Sequence, residues 1–135
     1  MILLDTNIVA ELSRPRPDPA VERWATTVKP PFGFSVVSVE EVRYGLSWRP
    51  TQRLETWFSE FMEVYCEALP VTEAVARRAG DLRGRFQATG ETRTQADMLI
   101  AATALEHQLP LATRNTRDFR GCGVALVNPF TATLV

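Results

Sequence analysis

Five short apolar runs, at residues 2–4, 34–37, 68–71, 109–113 and 124–127, alternate along this chain with longer segments of helical periodicity. Apolar runs this short read as strands buried on both faces of a parallel sheet. Between them Val21, Trp24, Ala25 and Val28 recur at the i, i+3, i+4, i+7 spacing of one helix face. Leu54, Trp57, Phe58, Phe61 and Met62 repeat that stripe, and Val75, Ala79, Leu82 and Phe86 mark another. Helices are also expected over about 7–13, 39–47 and 94–107. Strands alternating with helices imply an α/β sandwich around a mostly parallel sheet. No repeat, linker or low-complexity stretch interrupts the pattern, so residues 1–135 read as a single domain, long enough for a real core.

The punctuation agrees. Thr6 and Asn7 can cap the helix over 7–13. Asp18 caps the next, with Pro19 in its first turn, and Pro30-Pro31 ends it. Gly90 closes the helix over about 73–88, and Thr94 opens the one that follows.

Composition narrows the function classes. A hydrophobic content of 45% disfavours disorder. No apolar run approaches the ~20 residues that span a bilayer. The first acid falls at position 5 with no basic segment before it, which argues against a signal peptide. Cys66 and Cys122 form no CxxC pair and read as reduced thiols of a cytoplasmic protein. The net charge of −1 gives no global basic field, although fourteen of the fifteen cations are Arg. His107 is the sole histidine, which disfavours a His-based zinc site or a Ser-His-Asp triad. No phosphate-binding glycine motif occurs. A phosphatase of the haloacid-dehalogenase type would need a second Asp where this chain has Asn7.

The acids remain. Each has a local explanation worth ~1 kcal/mol of helix stability. Asp5 can cap the helix after it, Ser38-Val39-Glu40-Glu41 has the spacing of a capping box, and Thr94-Gln95-Ala96-Asp97 offers a similar start. Taken together they share a place. In an open parallel sheet, strand C-termini and helix N-termini meet at one edge, where ligands bind. Asp5, Glu41, Asp97 and Asn115 with Asp118 all approach that edge from separate segments. Carboxylates gathered there repel one another and call for a hard divalent cation, Mg²⁺ or Mn²⁺, which suits phosphate chemistry. Thr6, Asn7, Thr113 and Asn115 supply hydroxyls and amides to orient water or a ligating carboxylate.

LLDTN at 3–7, SVVSVEEVRYG at 35–45, ADMLIAATALEHQLPLATRNTRDF at 96–119 and VNPF at 127–130 together resemble PIN-domain proteins of the VapC/FitB type, over residues 4–130. The resemblance implies a PIN-like three-layer sandwich with a mostly parallel central sheet flanked by helices. It places the family's first acid on Asp5, its S-x-x-E glutamate on Glu41 and its third acid on Asp97. The fourth position falls on Asn115 or on Asp118. Asp5 and Asp97 would be direct ligands of the first ion, with Glu41 completing or bridging the site and Asp118 contributing less directly. Glu40 becomes a helix-face residue.

The activity implied is that of a Mg²⁺-dependent endoribonuclease, the toxin of a type II toxin–antitoxin system. It would cleave RNA phosphodiester bonds by metal-activated water and leave 5′-phosphate and 3′-hydroxyl ends. Arg14, Arg43, Arg93 and Arg114 lie beside the motif segments and are candidates to grip RNA phosphates. The resemblance further implies a homodimer and a DNA-binding antitoxin of the VapB type, with operator DNA met only through it and an antitoxin Arg or Lys set among the carboxylates. Trp24, Trp57, Phe58 and Phe61 are core candidates, or a clamp for an antitoxin helix. The rival implication is a FitB-like regulatory partner that binds operator DNA together with its antitoxin and has weak or no nuclease activity. A housekeeping PIN nuclease is a third.

Overall fold

The computed structural model of the chain describes residues 1–131 and the backbone of Thr133 and Leu134. One sheet runs through it, built from β1 (Leu3–Leu4), β2 (Phe32–Ser35), β3 (Cys66–Leu69), β4 (Leu111–Ala112), β5 (Leu126–Asn128) and β6 (Thr133–Leu134), in the spatial order β3-β2-β1-β4-β5-β6. The first five strands are parallel and β6 pairs antiparallel with β5. The α-helices among the described residues are α1 (Thr6–Leu12), α2 (Pro19–Thr27), α3 (Val36–Trp48), α4 (Gln52–Tyr65), α5 (Glu73–Ala88) and α6 (Gln95–His107), with a 3₁₀ turn at Thr116–Phe119.

Alternation along each strand divides the apolar residues between two cores. Ile2 and Leu4 face one side with Phe32, Phe34 and Ala112, where Ile8, Val9, Val21, Phe58 and Phe61 from α1, α2 and α4 cover them. Leu3 faces the other side with Leu69, Leu111 and Leu126, under Val75, Ala79, Leu82, Met98 and Ile100 of α5 and α6. This is the three-layer α/β sandwich read from the sequence. Each fully buried leucine of β1 contributes about 1.5–3 kcal/mol. Trp57 stacks on Phe61 with centroids 4.8 Å apart; Phe61 belongs to the first core, and Trp57 and Trp24 are partly buried against it.

Helix ends follow their side chains. Asp18 accepts from the Ala20 amide at 2.8 Å with Pro19 at the first helical position. At the end of α5, Gly90 has φ +87, its amide donates to the Gln87 carbonyl, and that of Glu91 donates to Phe86, which closes a Schellman turn.

Several boundaries differ from the sequence reading, among them β4 at 111–112 rather than 109–113 and β5 at 126–128 rather than 124–127. β2 spans 32–35 rather than 34–37, because the Ser35 hydroxyl accepts from the Val37 amide at 3.0 Å and starts α3 at Val36. The expected Ser38–Glu41 capping box is therefore not formed; Ser38 lies inside the helix, fully buried. β3 likewise lies at 66–69 rather than 68–71. At α1 the cap is Asp5, whose carboxylate accepts from the Thr6 amide at 2.8 Å, in place of Thr6 and Asn7. β6 and the 3₁₀ turn have no counterpart in the sequence reading.

The strand order also locates a site. From β1 the chain builds outward to β2 and β3, then crosses to β4 on the other side of β1. The crevice between β1 and β4, at their C-terminal ends, is the switch point at which ligands bind in sheets of this kind.

Candidate active site

Asp5 stands at that switch point. It is the first residue beyond β1, its amide donates to the Ala112 carbonyl of β4 at 2.9 Å, and it is 5% exposed. Three donors meet its carboxylate: the Thr6 amide on Oδ1 at 2.8 Å, and on Oδ2 the Asn7 amide group at 3.1 Å and the Thr113 hydroxyl at 2.8 Å. A carboxylate offers about four lone-pair sites, so one on Oδ1 is left for a further partner. Burial pushes the Asp5 carboxyl from its ordinary 3.8 up to about 6. The bonds from Thr113 and Thr6 oppose that rise, and the charges of Asp97 and Glu41 add to it.

Glu41 reaches the rim from α3. The Thr6 hydroxyl lies 2.7 Å from Glu41 Oε1 and 2.8 Å from Ser38 Oγ. A hydroxyl has one proton, so Thr6 donates to the carboxylate and Ser38 donates to Thr6. The buried Ser38 thus orients Glu41 through Thr6, a role hidden in the sequence because its spacing matches a capping box. Glu40 is exposed, and no hydrogen bond joins it to the other acids.

Asp97 is the third residue of α6, where its amide donates to the Thr94 hydroxyl at 3.1 Å. Its carboxyl is half-buried and held above its ordinary range, first by burial and then by the charges of Asp118 and Glu41, against Thr94 and Arg93. Asp118 lies exposed in the 3₁₀ turn. Asn115, at the start of that turn, donates its amide to Thr113 Oγ1 at 3.0 Å, while Asn7 Oδ1 accepts from the Arg114 amide at 3.3 Å. Asp5, Glu41, Asp97 and Asp118 are thus linked by repulsion across one rim, and Thr6, Asn7 and Thr113 hold the innermost of them.

The four arginines named from sequence differ in what occupies them. Arg14 pairs with the buried Glu11 at 3.2 Å, and Arg43 makes a two-pronged pair with Glu55 at 2.7 and 3.0 Å. Arg93, 12% exposed, donates to the Asp118 and Arg120 carbonyls at 2.7 and 2.9 Å, pairs with Glu91, and lies 3.9 Å over the Phe86 ring. Arg93 is an internal strut. Arg114 is exposed, its guanidinium 4.3 Å over the Phe130 ring.

Among the described residues no three Asp, Glu, His or Cys side chains converge closely enough to hold an ion as they stand. The chemistry of the donors does fit a hard divalent cation: oxygen only, with mutual repulsion that a cation would relieve and a spare lone pair on Asp5. Beside the acids, a groove of about 350 Å³ runs from Thr6 and Glu41 along Val9, Leu46, Trp57 and Phe58.

Asp5 just beyond β1, Glu41 on α3 and Asp97 on α6 thus put acids at the switch point of a parallel α/β sandwich, and comparison with known proteins gives the class. The PIN domain family matches residues 2–122, and this chain belongs to it. It is 33% identical to the VapC ribonuclease Y4jK of Sinorhizobium fredii, over 96% of this chain and 98% of that one. It is 33% identical to the toxin FitB of Neisseria gonorrhoeae, over 96% and 99%. The crystal structure of FitAcB from Neisseria gonorrhoeae superposes with a TM-score of 0.83 at 33% identity, over 96% of this chain and 99% of that one. That of FitAB bound to an IR36 DNA fragment superposes equally, over 96% of each. Among the described residues no helix is long and apolar enough to cross a membrane.

Proposed function

We propose that this chain is the toxin of a type II toxin–antitoxin pair, an endoribonuclease that hydrolyses RNA phosphodiester bonds at the Asp5 rim with Mg²⁺, or Mn²⁺ in its place. The observation that carries the reading is the buried Asp5 carboxylate at the β1–β4 switch point, held by Thr6, Asn7 and Thr113 and faced by Glu41 and Asp97. The names of two relatives, a ribonuclease and a toxin, support it.

Asp5 and Asp97 are assigned as direct ligands of the ion, Glu41 completes or bridges the set, and Asp118 acts less directly. A hard divalent cation supplies Lewis acidity toward the phosphoryl oxygen and neutralises the carboxylates. The protein's own part is positional. Thr113 and Asn7 fix Oδ2 of Asp5, the Ser38–Thr6 relay aims Glu41, and Thr94 sets Asp97 at the head of α6. Asn115 keeps Thr113 in place through its amide. Of the four arginines beside the motif segments, Arg114 is assigned to a substrate phosphate, because the other three are held in ion pairs. Water adds to phosphorus as the P–O3′ bond breaks, leaving a 5′-phosphate and a 3′-hydroxyl.

The partner is an antitoxin with its own DNA-binding part, carried by a homodimer of this chain. The groove leading to Glu41 receives an antitoxin segment, and a cation from that segment among the acids silences the site. A second reading rests on the likeness to FitAB bound to DNA: a regulatory module whose catalysis is marginal. Expression of this chain alone separates them. Growth arrest that Asp5→Asn relieves supports the toxin; unimpeded growth, with operator binding by the pair intact, supports the module.

A further inference from the structure

Next to the acids the surface reverses sign. The 3₁₀ turn that carries Asp118 also carries Arg117, with Arg114 before it and Arg120 after it. These residues, with Asn115 and Thr116, line a recess of about 350 Å³ whose walls are mainly polar. Arg117 and Arg120 are exposed, and among the described residues neither guanidinium has an ion-pair, hydrogen-bond or ring partner, unlike those of Arg14, Arg43 and Arg93. The backbone beneath them is fixed. Arg93 clamps the Asp118 and Arg120 carbonyls, the Asp118 amide donates to Asn115, and the buried Phe119 anchors the turn in the core. Three cations thus stand on or beside a hydrogen-bonded turn, Arg114 resting on the Phe130 ring and Arg117 and Arg120 with no ion pair among the described residues.

We propose that Arg117 and Arg120, with Arg114, form a cradle for the phosphodiesters of single-stranded RNA flanking the one cut at the acids. The inference rests on the ribonuclease reading and names how the substrate is held. Acids that hold a metal repel the rest of a polyanion, so the strand needs cations close by on one side. Guanidinium forks suit phosphate oxygens. Asp118 lines the same recess and marks where the surface changes from gripping phosphate to repelling it.

The test uses the full chain free of antitoxin, in the Asp5→Asn background so that RNA is bound without being cut. A fluorescent single-stranded RNA is titrated across a salt series with this parent, with Arg117→Ala/Arg120→Ala added, and with Arg23→Ala/Arg83→Ala as a charge-matched control on α2 and α5. The slope of log affinity against log salt should fall by about 1.4 for the cradle pair, about 0.7 for each phosphate no longer neutralised, and should hold for the control. In the active protein the cradle pair should raise KM and leave kcat. RNA binding by the parent with an equal slope in the cradle variant overturns the cradle alone. An equal loss in the control shows a diffuse charge effect and overturns it too. No RNA binding by the parent overturns the ribonuclease reading and the cradle with it.

Discussion

The Thr113 hydroxyl donates to Asp5 Oδ2 at 2.8 Å inside the protein, joining the ends of two adjacent parallel strands across 108 residues of sequence. The sheet register makes this possible, since Leu4 is paired with Ala112 and the next residue of each strand passes the rim together. The bond sets both the geometry and the acidity of the innermost carboxylate.

Asp5 is held near 6 instead of 3.8, so the folded protein binds its proton more tightly than the unfolded chain does. The sign follows. Stability from this group is full below about 4 and is lost as pH rises through about 6. At about 1.4 kcal/mol per pH unit, the cost of the ionised form is about 3 kcal/mol. In EDTA, the stability of Asp5→Asn relative to wild type should therefore shift in the variant's favour by up to that amount between pH 4 and pH 7.5, whatever offset the amide group introduces among the donors to Asp5. Urea unfolding of both proteins at the two pH values checks it; a difference that does not change with pH contradicts it.

Thr113→Val removes the donor to Asp5 and the acceptor for the Asn115 amide at once. The loss should cost about 1–3 kcal/mol of stability. Because the bond favours the charged carboxylate, the Asp5 titration midpoint in carboxyl-carbon NMR should rise above that of wild type. Metal affinity should fall roughly 10–100-fold. Thr113→Ser should restore all three. An unchanged midpoint in Thr113→Val would detach the hydroxyl from the site.

Arg93→Ala separates a strut from an RNA contact. It removes the donor to three oxygens and to Cys122 Sγ, and a ring contact, around the Asp118 turn, at a cost of about 3 kcal/mol. Thermal unfolding should shift down markedly while the salt slope of RNA affinity stays as in the parent. A lowered slope with unchanged unfolding would make Arg93 a phosphate contact instead.

Asp5 was legible because it ends an apolar strand and Asp97 because it opens a patterned helix, and both stand where that reading puts them. Glu41, by contrast, lies in the second turn of α3 and Asp118 in the 3₁₀ turn. The end of helix α5 was legible from Gly90, a local signal, while its cap, Thr72, is a finding of the structure. What escaped was which of two competing local signals wins, and whatever depends on distant partners. Val36 and Val37 are β-branched and read as strand, yet the Ser35 hydroxyl starts α3 there, and the shift carries Ser38 from a cap into the interior beside Thr6. The Arg93 strut could not be foreseen, since two of its partners are backbone carbonyls 25 and 27 residues away. The third strand moved for a similar reason: its register is set by pairing with β2, Phe32 opposite Cys66.

The central claim is that the acids at the β1–β4 crevice cut RNA. It is tested most directly by incubating purified, antitoxin-free protein with total tRNA and rRNA in Mg²⁺ or Mn²⁺ and in EDTA, beside Asp5→Asn, Asp97→Asn and Asp118→Asn. The account predicts discrete cuts with 5′-phosphate ends, absent in EDTA and in the first two variants and reduced but visible in the third. Cutting that survives both Asp5→Asn and Asp97→Asn would contradict it.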